Sequence, residues 1–139
     1  MKVKYLSGAY KIDRAHFDDA GIDFRTPNPF TLPAHGQAII DLKVCVQIPV
    51  GYFGKMESKS GLMVNHGITC MGGVIDSGFR GPIKVRMINN TDKAYNFKKG
   101  DKVCQMVLIP TLLADIEPVD ELDEATSGRN NDGWGSSGK

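Results

Sequence analysis

The chain has 139 residues, enough for one domain with a modest core, and its 17 basic and 16 acidic residues leave a formal net charge of +1. That near-neutral balance offers no global field for duplex nucleic acid or a membrane, so any phosphate must be held by a local site. No apolar run approaches the ~20 residues that span a bilayer, and no signal-type segment follows Met1. Three cysteines (Cys45, Cys70, Cys104) sit far apart with no C-x-x-C spacing. Cys45 and Cys104 lie in apolar runs and read as small core residues, which predicts a cytoplasmic, reducing location.

The dominant periodicity is two. In chain order, Val3 to Leu6 is a short strand candidate, followed after a Thr26-Pro27-Asn28-Pro29 turn by an alternating run. In that run Ile40, Leu42, Val44, Val46 and Ile48 face one way. Pro49-Val50-Gly51 ends it, and Tyr52 to Met56 follows as another strand. Ser60 to Asn65 is the one stretch suited to a helix, about two turns long. Beyond Gly72-Gly73, Ile83, Val85 and Met87 alternate with Lys84, Arg86 and Ile88. Ala94 to Phe97 and the apolar run Val103 to Ile109 complete the strands, separated by Asn89-Asn90 and Lys99-Gly100-Asp101. Many short strands punctuated by turns predict an all-β sandwich or barrel. From Asp115 the character changes, so the chain divides into a β body (1–114), an acidic linker (115–126) and a glycine-rich arm (127–139).

The arm combines Arg129, Trp134, four glycines and three serines. Alone it buries too little to order itself and reads equally as an unstructured terminus. Its chemistry nonetheless suits a nucleotide. Glycines let backbone N–H groups approach phosphate oxygens, Ser136 and Ser137 add donors, Arg129 can fork onto a terminal phosphate, and Trp134 offers a face to a base.

Other residues carry readings of their own. Asp76 follows an apolar pair and precedes Ser77-Gly78, so it either caps its own turn or acts as a general base. Ser60 and Gly61 open the possible helix, where unpaired N–H groups attract anions and Ser60 also reads as a simple N-cap. Lys59 immediately precedes them. Phe79 is a core aromatic or a pocket wall. His16, His35 and His66 show no ligand spacing and read as surface or loop residues; Arg80 and Asp101 read as turn or ion-pair residues.

Five segments, in this order, resemble the trimeric all-β dUTPase family. They are AGIDF (Ala20 to Phe24), KSGLMVNHGI (Lys59 to Ile68), GGVIDSGFRGPIKV (Gly72 to Val85), KGDKVCQMVLIP (Lys99 to Pro110) and the arm. The resemblance implies a distorted jelly-roll barrel with one short helix and a C-terminal arm. It further implies hydrolysis of dUTP to dUMP and pyrophosphate in a homotrimer whose sites are shared between chains. Within that pattern Asp76 directs water at the α-phosphorus. Lys59, Ser60, Gly61, Gln105, Arg129, Ser136 and Ser137 hold phosphates. Backbone groups of the hairpin around Cys70, Met71, Gly73 and Val74 read uracil, with Phe79 under the deoxyribose and Trp134 and Gly135 closing over the nucleotide. Asp23 positions a hydrated magnesium ion (Mg2+) that arrives with the triphosphate. Two residues depart from the pattern: Lys59 stands where the family usually has arginine, and Phe79 where it usually has tyrosine. The lysine keeps the charge and loses the bidentate fork; the phenylalanine keeps the ring and drops the hydroxyl. Related dCTP deaminases share the Asp76 to Gly81 pattern but require a glutamate where this chain has Arg86. A nucleotide sensor without catalysis would keep the pocket, and a capsid-like sandwich would have none.

Overall fold

The computed structural model describes residues 1–127. Eleven strands and one short helix follow in order: β1 (Lys2–Tyr5), β2 (Gly21–Arg25), β3 (Phe30–Leu32), β4 (Gln37–Asp41), β5 (Val44–Gln47), β6 (Tyr52–Ser58), α1 (Ser60–His66), β7 (Ile68–Met71), β8 (Val74–Ile75), β9 (Lys84–Asn89), β10 (Tyr95–Phe97) and β11 (Lys102–Pro110). The all-β class predicted from the alternation is the observed one.

All named strand pairs are antiparallel. They make a four-stranded sheet ordered β2-β11-β6-β8, a three-stranded sheet ordered β4-β9-β7, and the pairs β1-β5 and β10-β3. Between them lies a core of Phe24, Leu32, Leu42, Val44, Ile48, Ile68, Ile83, Val85, Met87, Val103 and Met106, each buried. Cys45, Cys70 and Cys104 are buried and unbridged.

The alternating run from Ile40 to Ile48 is two strands, not one. Asp41 Oδ1 accepts the N–H of Lys43 at 2.9 Å, and Lys43 takes φ 60°. This local side-chain bond competes with the ladder, breaks the strand and passes the chain from β9's partner to β1's. The helix falls where predicted, but its N-cap is Lys59, with no side-chain cap, so Ser60 is the first helical residue and not the cap. Buried Asn89 closes the end opposite the strand tips by donating to the carbonyls of Pro33 and Lys93 at 3.0 and 2.8 Å. After β11, residues 111–127 form no helix or strand and are largely exposed. No helix among the described residues is long and apolar enough to cross a membrane.

Candidate active site

Two clusters of functional side chains stand on the four-stranded sheet, one beyond edge strand β8 and the other across β2, β11 and the end of β6. The first begins where β8 ends. Ile75 is buried, Asp76 is exposed, and the Phe79 N–H donates to the Asp76 carbonyl at 3.1 Å to close the turn. Arg80 Nη1 donates to the carbonyls of Ser77 and Phe79 at 2.6 and 2.8 Å, fixing the same turn from outside. The turn is therefore held by backbone and Arg80, and among the described residues the Asp76 carboxylate has no cation within 4.0 Å and no hydrogen-bond donor of its own. It faces a pocket lined by Val74, Phe79, Gly81, Pro82, Ile83 and Lys84. Phe79 is 41 % exposed, too open for a core aromatic, and walls that pocket.

The hairpin before it carries the chain from one sheet to the other. Cys70 and Met71 end β7, and Gly72 and Gly73 make the crossing. Gly73 has φ 66°, a left-handed conformation that glycine adopts without the strain of a side chain. At Gly72 the reason is different: a Cβ would stand 2.6 Å from Met56 Cβ. The Cys70 N–H is taken by Ser58 Oγ at 2.8 Å. Met71 and Val74 are 62 % and 58 % exposed, at the ends of strands that pair with β9 and β6.

The second cluster is polar. Asp23 on β2 is 3 % exposed at its side chain, and each carboxylate oxygen meets an ammonium group. Lys59 Nζ lies 2.5 Å from Oδ1 and Lys102 Nζ 2.5 Å from Oδ2. Burial raises the Asp23 pKa, but hydrogen bonds and charge from Lys102 and Lys59 outweigh it, so the carboxyl is held below its ordinary value. Gln105 on β11 lies directly opposite Asp23 and donates from Nε2 to the Ser58 carbonyl at 3.0 Å. Its carboxamide occupies the space over Gly21, where any Cβ would collide with it. Lys59, Lys102, Gln105 and Asp23 thus line one small polar cleft beside Ser60 and Gly61, both exposed at the start of α1.

Lys102 is absent from the sequence expectation. In a regular strand it would project away from Gln105. A register shift between Lys102 and Cys104 inserts one extra residue against β2 and turns Lys102 onto the Asp23 side. Lysine in a turn-flanking KGDK segment carries no sign of that bulge.

Each Asp23 oxygen already accepts from an ammonium group, so a hydrated magnesium ion would meet this carboxylate only through water on its remaining lone pairs. No group of three or more His, Cys, Asp or Glu side chains among the described residues could hold a metal. His16, His35 and His66 are exposed, with His35 Nε2 2.7 Å from Asp92 Oδ1. Arg86, where a deaminase would need its glutamate, donates to Gln37 Oε1 at 2.6 Å. Arg129, Trp134, Gly135, Ser136 and Ser137 lie outside the described residues.

The family profile described as dUTPase matches residues 9–138. The chain belongs to the dUTPase family. It is 38 % identical over 122 residues to the Candida albicans deoxyuridine 5'-triphosphate nucleotidohydrolase, covering 86 % of this chain and 76 % of that one. The Arabidopsis thaliana protein of the same name is 34 % identical over 139 residues, 99 % of this chain and 82 % of that one. Among solved structures, the Staphylococcus bacteriophage 80alpha dUTPase with dUpNHpp superposes with a TM-score of 0.89 at 27 % identity, covering 99 % of this chain and 98 % of that one. A mutant dUTPase from phage phi11 of S. aureus, described for its coordination of a structural Mg(II) ion, gives a TM-score of 0.79 at 25 % identity over 86 % of this chain and 96 % of that one. The dUTPase resemblance and the β architecture predicted from the sequence therefore agree with both comparisons.

Proposed function

We infer that this chain is a dUTP diphosphatase, releasing dUMP and pyrophosphate from dUTP and water. The observation that carries the reading is Asp76: a carboxylate with no cation or cap among the described residues, at the mouth of a pocket walled by a half-exposed aromatic ring. Asp76 takes a proton from a water as its oxygen attacks the α-phosphorus. The bond from that phosphorus to the α–β bridging oxygen breaks, and pyrophosphate leaves. Phe79 packs on the deoxyribose, and backbone groups of Met71, Gly73 and Val74 meet the uracil edge, with Cys70 anchoring the strand through Ser58. Cytosine would set a donor where uracil has an acceptor, and an unmatched buried donor costs about 1–3 kcal/mol.

Lys59, Ser60, Gly61 and Gln105 take the phosphates, and Arg129, Ser136 and Ser137 of the arm complete that hold while Trp134 and Gly135 cover the base. Asp23 fixes Lys59 and Lys102 and would accept from a water of a magnesium ion held by the triphosphate, an ion that would neutralise phosphate charge there. Alignment and charge neutralisation of the phosphate chain supply much of the rate.

One chain does not bring Asp76 and Gln105 to the same phosphorus. Gln105 stands on β11, two strands from β8, and pairs with Glu57 of β6, whereas Ile75 beside Asp76 pairs with Gly54 further along that strand. Two strand spacings of about 4.8 Å each, with the offset along β6, put them more than roughly 10 Å apart. We therefore place each site between copies in a homotrimer, the hairpin and Asp76 from one chain and the lysine cluster from the next. Three unbridged cysteines agree with a cytoplasmic setting.

Pyrophosphate release from dUTP, dCTP, UTP and dTTP tests the reading with wild type and Asp76→Asn. Release from dUTP alone, lost in the variant, is expected; dUTP bound without product would replace catalysis by sensing.

A further inference from the structure

Phe79 and Gly81 stand two residues apart on the wall of the pocket that opens at Asp76. A Cβ on Gly81 would lie 2.8 Å from Phe79 Cζ, closer than such atoms approach, and a tight 3.2 Å from Cε2. Gly81 does not have the positive φ of Gly73 or Gly100, so its backbone would accept alanine. The aromatic ring alone bars a side chain there. The ring's own backbone is pinned, by the Asp76 carbonyl on the Phe79 N–H and by Arg80 on the carbonyls of Ser77 and Phe79. Only the side-chain torsions of Phe79 are left to set where the ring lies. At 41 % exposure they are free to move outward if pushed.

We propose that Gly81 is a specificity-determining position, the bare backbone on which the Phe79 ring rests and which sets that ring's depth against the sugar. The inference deepens the dUTP reading and rests on it. A methyl group at residue 81 displaces the ring toward solvent and opens the space that a 2′-hydroxyl would fill. The fold is untouched, because a half-exposed ring yields without disturbing the core. Gly81 acts through Phe79 and is a positioning residue, not a catalytic one.

The test compares kcat/KM for dUTP and UTP in wild type, Gly81→Ala, Phe79→Ala and the double variant, with thermal unfolding of each. Gly81→Ala should lower the dUTP-to-UTP ratio about tenfold, the scale of one small group in a pocket, with an unchanged unfolding midpoint. The double variant should match Phe79→Ala, since without a ring residue 81 has nothing to position. A wild type that releases no pyrophosphate from dUTP would sink the functional reading itself. A Phe79→Ala ratio equal to wild type would sink the sugar role and this inference with it. If Phe79→Ala lowers the ratio and Gly81→Ala does not, Gly81 alone is overturned. Should Gly81→Ala unfold, refolding in the double variant supports the ring conflict, and failure to refold refutes it.

Discussion

Asp76 and Asp23 are both aspartates at the margins of one sheet, and their surroundings give them opposite work. Asp23 is buried and gripped on both oxygens by Lys59 and Lys102; Asp76 is exposed, with no cation within 4.0 Å among the described residues. A carboxylate already neutralised twice is a poor proton acceptor and a good anchor for two ammonium groups. A free carboxylate beside a pocket is the reverse. Residue type alone therefore does not separate base from scaffold; the partners do.

The sharpest way to break that contrast is to remove each carboxylate in turn. Asp76→Asn should cut turnover by roughly 10²- to 10⁴-fold, the usual worth of a general base, while shifting stability by no more than about 0.5 kcal/mol. Pyrophosphate release and chemical denaturation measure the two halves. Deleting residues 128–139 should lower turnover by about 10²-fold or more, because Arg129 and the two serines go with them. The unfolding midpoint should stay where it was, since β11 ends at Pro110.

Asp23→Asn should differ from Asp76→Asn by lowering stability. It leaves the Lys59 ammonium without its carboxylate and Lys102 with only the longer contact to Asp13 at 4.0 Å, and should cost about 3 kcal/mol, the lower end for a broken buried pair because both lysines keep some solvent contact. A smaller effect distinguishes the two by pH. The Asp23 carboxyl is held below its ordinary value in the fold, so its contribution is present above the unfolded-state value near 4 and is lost as pH falls through the lower folded-state value. Denaturation midpoints taken from pH 7 to pH 3 should fall in wild type and fall less steeply in Asp23→Asn.

Much of this was legible from the chain. Alternation announced the strands, and the Asp76 to Gly81 segment announced the turn, because both signals are local. What escaped depended on contacts between distant segments or on one local bond. A single carboxylate–amide bond at Asp41 split one strand into two. A one-residue register shift turned Lys102 toward Asp23. The sequestration of Asp23 followed from that shift, since it needs cations from β6's end and from β11 at once. Phe79's place on Gly81 was hidden for the same reason: a glycine without positive φ shows its purpose only when the neighbouring ring is seen.

In the proposed shared site, Asp76 of one chain works on a phosphate held by another. Co-refolding equal amounts of Asp76→Asn and Gln105→Ala, each nearly inactive alone, tests it directly. Random assembly should restore about a quarter of wild-type specific activity, because one pairing in four joins an intact Asp76 to an intact Gln105 across an interface. Mixtures no more active than the separate variants would mean that both residues serve from the same chain.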